Sequence, residues 1–166
     1  MNARQAMDAA NSAEVEVALI QIDHPDLDAP VRLSTDPTDR LSVDPLRYGT
    51  RSSWLGATDP FLFVLASAEV PGDQEDAPAA ANIVLENVTN DIAATLRQVS
   101  TRATVHLAVV LASSPDQVEV EFRDMSLVGA DGDAGEIRLS LTRAPIEAET
   151  VPMDRFSRDR FLGLFR

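Results

Sequence analysis

Glu14-Val-Glu-Val-Ala-Leu-Ile-Gln-Ile-Asp23 carries the clearest structural period in the chain. Polar and apolar residues alternate along it, which is the period of a strand with one face on a core. His24-Pro25-Asp26-Leu27-Asp28 then punctuates the chain as a turn, because proline fixes φ and aspartate favours turns. Val31 to Ser34 reads as the returning strand of a hairpin.

Beyond this hairpin, Asp36 to Asp59 is rich in Pro, Asp, Ser and Gly. It is expected to be a long loop with one short strand near Leu41 to Val43. Phe61 to Ala66 is an apolar run of strand length, and Ala80 to Glu86 makes the next strand after a loop at Pro71 to Pro78. Thr104 to Leu111, Val118 to Val128 and Glu136 to Thr142 follow. Their connections, Ser113 to Asp116 and Ala130 to Gly135, have lengths that suit antiparallel hairpins. Ile92, Leu96 and Val99 recur at helical spacing behind Asn90, a residue suited to an N-cap, so a short α-helix is predicted at about 90–100. Met1 to Ala13 reads as a short helix or ragged arm over 2–13. The chain is thus expected to be mainly β: an antiparallel β-sandwich or open barrel over residues 1–150, followed by an extended C-terminal arm over 151–166.

Composition narrows the function classes. At 166 residues the chain is long enough to bury a core, and the absence of cysteine removes disulfides, thiolate metal sites and thiol nucleophiles. No apolar run approaches the roughly 18 residues of a membrane span, and no signal core opens the chain, so a soluble product of the cytoplasm is expected. The net charge is −13, and all fourteen basic residues are arginine. So acidic a chain lacks the basic patch that duplex binding requires, and no specific nucleic-acid contact is expected.

Candidates for chemistry are few. His24 lies in the Pro- and Asp-rich turn, where a metal or base role competes with that of a surface turn residue. His106 alternates with Val105 and Leu107 and has no second ligand in view, which makes it structural. Asp131-Gly132-Asp133 is too short for a calcium loop and sits between strands, so a hairpin turn is the better reading. Asp73, Glu75 and Asp76 are solvated loop acids, the opposite of the apolar pocket that raises a catalytic carboxyl. There is no nucleophile elbow, phosphate-cradling glycine loop or metalloprotease helix. The reading assigns no catalytic residue, metal or cofactor. Tyr48 and Trp54, in the long middle loop, are candidates for a loop contact such as stacking on a sugar ring, or caps on the end of a barrel.

The last sixteen residues, Val151 to Arg166, run against the rest. They hold three of the six phenylalanines and carry +2, leaving −15 on the other 150 residues. Apolar side chains on a tail must bury against the chain's own body or a neighbour. Aromatics inserted in pockets with arginines at an acidic rim make a docking arm, which nominates Arg155, Phe156, Arg158, Arg160, Phe161, Leu162, Leu164 and Phe165 as subunit-interface residues.

Several segments, in order, resemble a known family. They are Ile22-Asp-His-Pro-Asp-Leu27, Phe61 to Leu65, Ile83-Val-Leu-Glu-Asn87 leading to Ile92 and Leu96-Arg97, and Val105 to Leu111 with Ser114-Pro-Asp116. Pro152-Met-Asp-Arg-Phe156 and Phe161-Leu-Gly-Leu-Phe165 close the series. Together they resemble short phage and prophage tail proteins, a domain-of-unknown-function family, while Trp54 to Asp59 departs from the pattern. The resemblance implies a non-enzymatic structural virion protein in the ring or hub at the distal tip of a long tail. It would assemble with copies of itself and with tail-tube, tape-measure and hub proteins, in the virion tail after synthesis in the host cytoplasm. A carbohydrate-binding β-sandwich module of a tail or baseplate is the alternative.

Overall fold

Ten strands form among residues 14–69, 80–86, 94, 102–132 and 136–142, the residues described by the computed structural model. They are β1 (Glu16–Asp23), β2 (Val31–Ser34), β3 (Asp39–Val43), β4 (Leu46–Thr50), β5 (Phe61–Phe63), β6 (Leu65–Glu69), β7 (Ala80–Glu86), β8 (Thr104–Leu111), β9 (Ser114–Gly132) and β10 (Glu136–Thr142). A single 3₁₀ turn, Trp54–Gly56, precedes β5. The chain is mainly β, as the alternation of Glu14 to Asp23 requires. The helix expected at 90–100 lies outside the described residues except for Ala94, which is helical and exposed. The N-terminal segment 2–13 and the arm 151–166 also lie outside them.

The strands make one sheet in the order β3-β4-β5-β2-β1-β8-β9-β10-β7-β6. All pairs are antiparallel except β2 with β5, where Leu33 faces Leu62 and Ser34 faces Phe63 in parallel register. This one parallel pair sits in a sheet that is otherwise antiparallel as expected, because β5 returns beside β2 only after the β3–β4 hairpin and the 3₁₀ turn have reversed the chain. A correction concerns Phe61 to Ala66, which is two strands and not one. Val64 alone separates β5, third in the sheet, from β6 at its far edge. At strand spacing, seven steps of a flat sheet would span about 34 Å, yet Phe63 and Leu65 can stand at most about 7 Å apart. The sheet must therefore curl until its far edge meets β5, and it is a curled open sheet, a half-barrel.

Curling buries one face as the main core. Ile20, Ile22, Leu33, Val64, Ile83, Leu85, Val105, Leu107, Met125, Leu139 and Leu141 meet there. A second cluster lies on the opposite face of β1 and β8: Val17, Leu19, Ala108 and Val110, covered by Trp54 and Phe61. Register explains the division. Ile20 faces Leu107 and Ile22 faces Val105 on the inner side, whereas Val17 faces Val110 and Leu19 faces Ala108 on the outer side. β1 thus carries apolar residues on both faces because both are covered.

β9 is 19 residues long and would run about 63 Å if straight. Bulges interrupt it instead, and it serves β8 from Ser114 to Ser126 and β10 from Ser126 to Gly132. At one bulge Arg123 and Asp124 oppose His106 alone, between the Val105–Met125 and Leu107–Phe122 pairs. Asp124 there has φ +57° and its N–H donates to His106 Nδ1 over 3.1 Å. A left-handed residue other than glycine carries strain of about 1 kcal/mol. Asp124→Gly is therefore expected to raise stability by about 0.5–1 kcal/mol, read as a higher urea midpoint at unchanged slope.

Candidate functional site

The Arg51 to Pro60 segment, expected to be part of a loose loop, is stapled to the β8–β9 turn. The Ser53 N–H and Oγ donate to Asp116 Oδ1 over 2.7 and 2.9 Å, and Ser52 Oγ donates to the Pro115 carbonyl over 2.7 Å. Ser52 Oγ also accepts the Trp54 N–H at 3.2 Å, which starts the 3₁₀ turn. Trp54 is thereby driven down onto β1 and β8, only 6% exposed, with its ring 6.0 Å from that of Phe61. Its Nε1–H donates to Glu121 Oε2 at 3.3 Å, satisfying the indole at the rim. Arg51, Ser52, Ser53, Thr58, Asp59 and Asp116, with Ala57 and Pro60, line an open cleft of about 300 Å³ beside the staple.

The hydrogen bonds shift two carboxyls. The Ser53 backbone N–H, then its hydroxyl, hold Asp116 below the ordinary carboxylate range. The Trp54 indole, then Arg123, do the same for Glu121. A depressed carboxyl adds stability above its unfolded value and loses it as pH falls through the folded one. The stability gap between the wild type and Asp116→Asn is therefore expected to be level above pH 3.8 and to close progressively below it, as melting temperatures across pH would show.

A second polar chain crosses the outer face of β1, β2 and β8. Arg32 Nε donates to Gln21 Oε1 at 3.1 Å, and Gln21 Nε2 donates to Asp23 Oδ2 at 3.0 Å. His106 Nε2 lies 3.2 Å from the same Asp23 oxygen, and Arg32 reaches Asp59 at 3.4 Å. His106 is on the opposite face from Val105 and Leu107, as the alternation predicts. His24 departs from expectation: its side chain is fully buried rather than at the surface, and its Nδ1 accepts the Asp26 N–H at 3.1 Å. Both imidazoles accept a backbone N–H at Nδ1, which fixes a turn in one case and a bulge in the other.

Among the described residues, no group of three or more His, Asp and Glu side chains could hold a metal ion, and no buried side-chain nitrogen or oxygen lacks a partner. No helix there is long and apolar enough to cross a membrane. Asp73, Glu75, Asp76 and Asp133 lie outside the described residues, as do all eight interface candidates from Arg155 to Phe165.

The two loop-contact candidates part company. Trp54 is covered, while Tyr48 lies on β4 and is 40% exposed. β4 was not expected as a strand at all. It pairs with β3 through Arg40–Tyr48, Ser42–Arg47 and Val43–Leu46, with Leu41 bulged out between them. Residues facing each other across a ladder share a face, so Arg40, Val43, Leu46 and Tyr48 form one surface of the hairpin. Val43 is 72% exposed and Leu46 58%, so this surface is apolar and open to solvent. The opposite surface carries Gly49, which is buried, and Leu41 packs toward it.

Val43-Asp-Pro-Leu46, a turn pair between two apolar residues, was the local signal for this hairpin. The Ser52, Ser53 and Asp116 staple had none, because its partners are 63 residues apart. No protein-family model matches the sequence, and no curated protein resembles it significantly.

Proposed function

We propose that this protein is a non-catalytic structural component of a phage-type tail, assembled as a symmetric oligomer in the ring or hub at the tail's distal tip. The observation that carries the assembly reading is the hairpin surface of Val43, Leu46 and Tyr48, an apolar sheet face left open to solvent. The tail assignment rests on the ordered sequence resemblance that closes with Phe161-Leu-Gly-Leu-Phe165. In that setting the arm from Arg155 to Phe165 docks on a neighbouring subunit, and an acidic body lines a lumen through which DNA slides without sticking. Tape-measure, tail-tube and hub proteins are the neighbours.

The carbohydrate-binding alternative is weakened by the burial of Trp54, which leaves Tyr48 as its only described stacking residue. Electron microscopy of intact particles carrying a tagged chain tests the proposal. A ring of tags at the distal tip is the expected result. Tails that lack the chain altogether would overturn it.

A further inference from the structure

We infer that the exposed face of the β3–β4 hairpin is a self-association surface, seated on the acidic body of a second copy of this chain. The inference rests on the assembly reading above and adds to it the surface and the occupant.

Arg40, Val43, Leu46 and Tyr48 share this face by register, and its only charge is the exposed cation Arg40. From Asp39 to Arg51 the chain holds three arginines against two aspartates, a local +1, so the remaining residues carry −14. Each copy thus supplies both halves of a complementary contact, an apolar surface with a cationic flank and an acidic body to receive it. Such a contact is head-to-tail, and repeated subunits close into a ring when the rotation permits. β3 is the end strand of the described sheet, but it is only five residues long and is kinked by the bulge at Leu41, which disfavours a further strand on its free edge. The occupant therefore sits on the face of the hairpin rather than extending the sheet.

The test is sedimentation velocity on the full chain, over a range of concentration. The wild type is expected to associate as its concentration rises. The double variant Val43→Asp with Leu46→Asp is expected to associate at least about tenfold more weakly, and Arg40→Glu to weaken it by a smaller factor. All three side chains project to solvent, so melting curves should match the wild type and exclude misfolding. Oligomers that persist unchanged in the double variant would overturn the hairpin as the contact while leaving the tail assignment intact. A wild type that stays monomeric would overturn self-docking, and the tail assignment would then stand or fall on the particle images alone.

Discussion

Gly49→Ala is expected to destabilise the protein by about 3 kcal/mol, through overpacking that no rotamer can relieve. A Cβ at this position would stand 1.9 Å from the Phe61 carbonyl oxygen and 2.9 Å from Leu41 Cδ1. The leucine can turn away, but the carbonyl is backbone. It belongs to the short β4–β5 ladder, Gly49 with Leu62 and Thr50 with Phe61, which joins the hairpin to the rest of the sheet. Moving it also shifts Phe61, which is fully buried beneath Trp54. Gly129→Ala is the internal control, because a Cβ there meets nothing within 4 Å. It is expected to change stability by less than about 0.5 kcal/mol, since it fills open space in a strand where glycine packs poorly. Urea titrations of the two variants make the comparison. Equal midpoints would mean that β4 and β5 do not approach as closely as described.

Trp54→Ala is expected to cost about 3–5 kcal/mol, the range for deleting a large aromatic from a core. The indole covers Val17, Leu19, Ala108 and Val110, the outer faces of the two central strands. Trp54→Phe keeps most of that cover and loses only the bond to Glu121, whose carboxylate is exposed and takes water in exchange. Its cost should be no more than about half that of the alanine variant. This pair of variants separates core packing from a sugar platform. A platform tryptophan would leave thermal stability unchanged when removed and abolish glycan binding, whereas a core tryptophan moves the melting temperature first.

Much of the sheet was legible because strand alternation is local. Glu14 to Asp23, Val31 to Ser34 and Thr104 to Leu111 all carry their period in consecutive residues. β4 was passed over because Asp44, Pro45 and Gly49 look like loop residues when read singly. The break at Val64 left no trace in the apolar run from Phe61 to Ala66, because it is set by where the far edge of the curled sheet arrives. Sandwich and open barrel share one alternation, and only the register and the bulges of β9 choose between them. The same holds for the polar contacts. Trp54 meets Glu121 across 67 residues, and a turn histidine flanked by proline and aspartate gives no sign that it is buried.

The pairing of β1 with β8 has a consequence for synthesis. Glu16 opposes Leu111, so β1, once it emerges from a ribosome, must wait for a strand that ends about 95 residues downstream. At 5–20 residues per second that is a delay of about 5–20 s, during which Val17 to Ile22 has only β2 for company. A central, apolar strand of the nascent chain is thus left long uncovered, and a chaperone that holds it open during translation would guard the yield of folded protein.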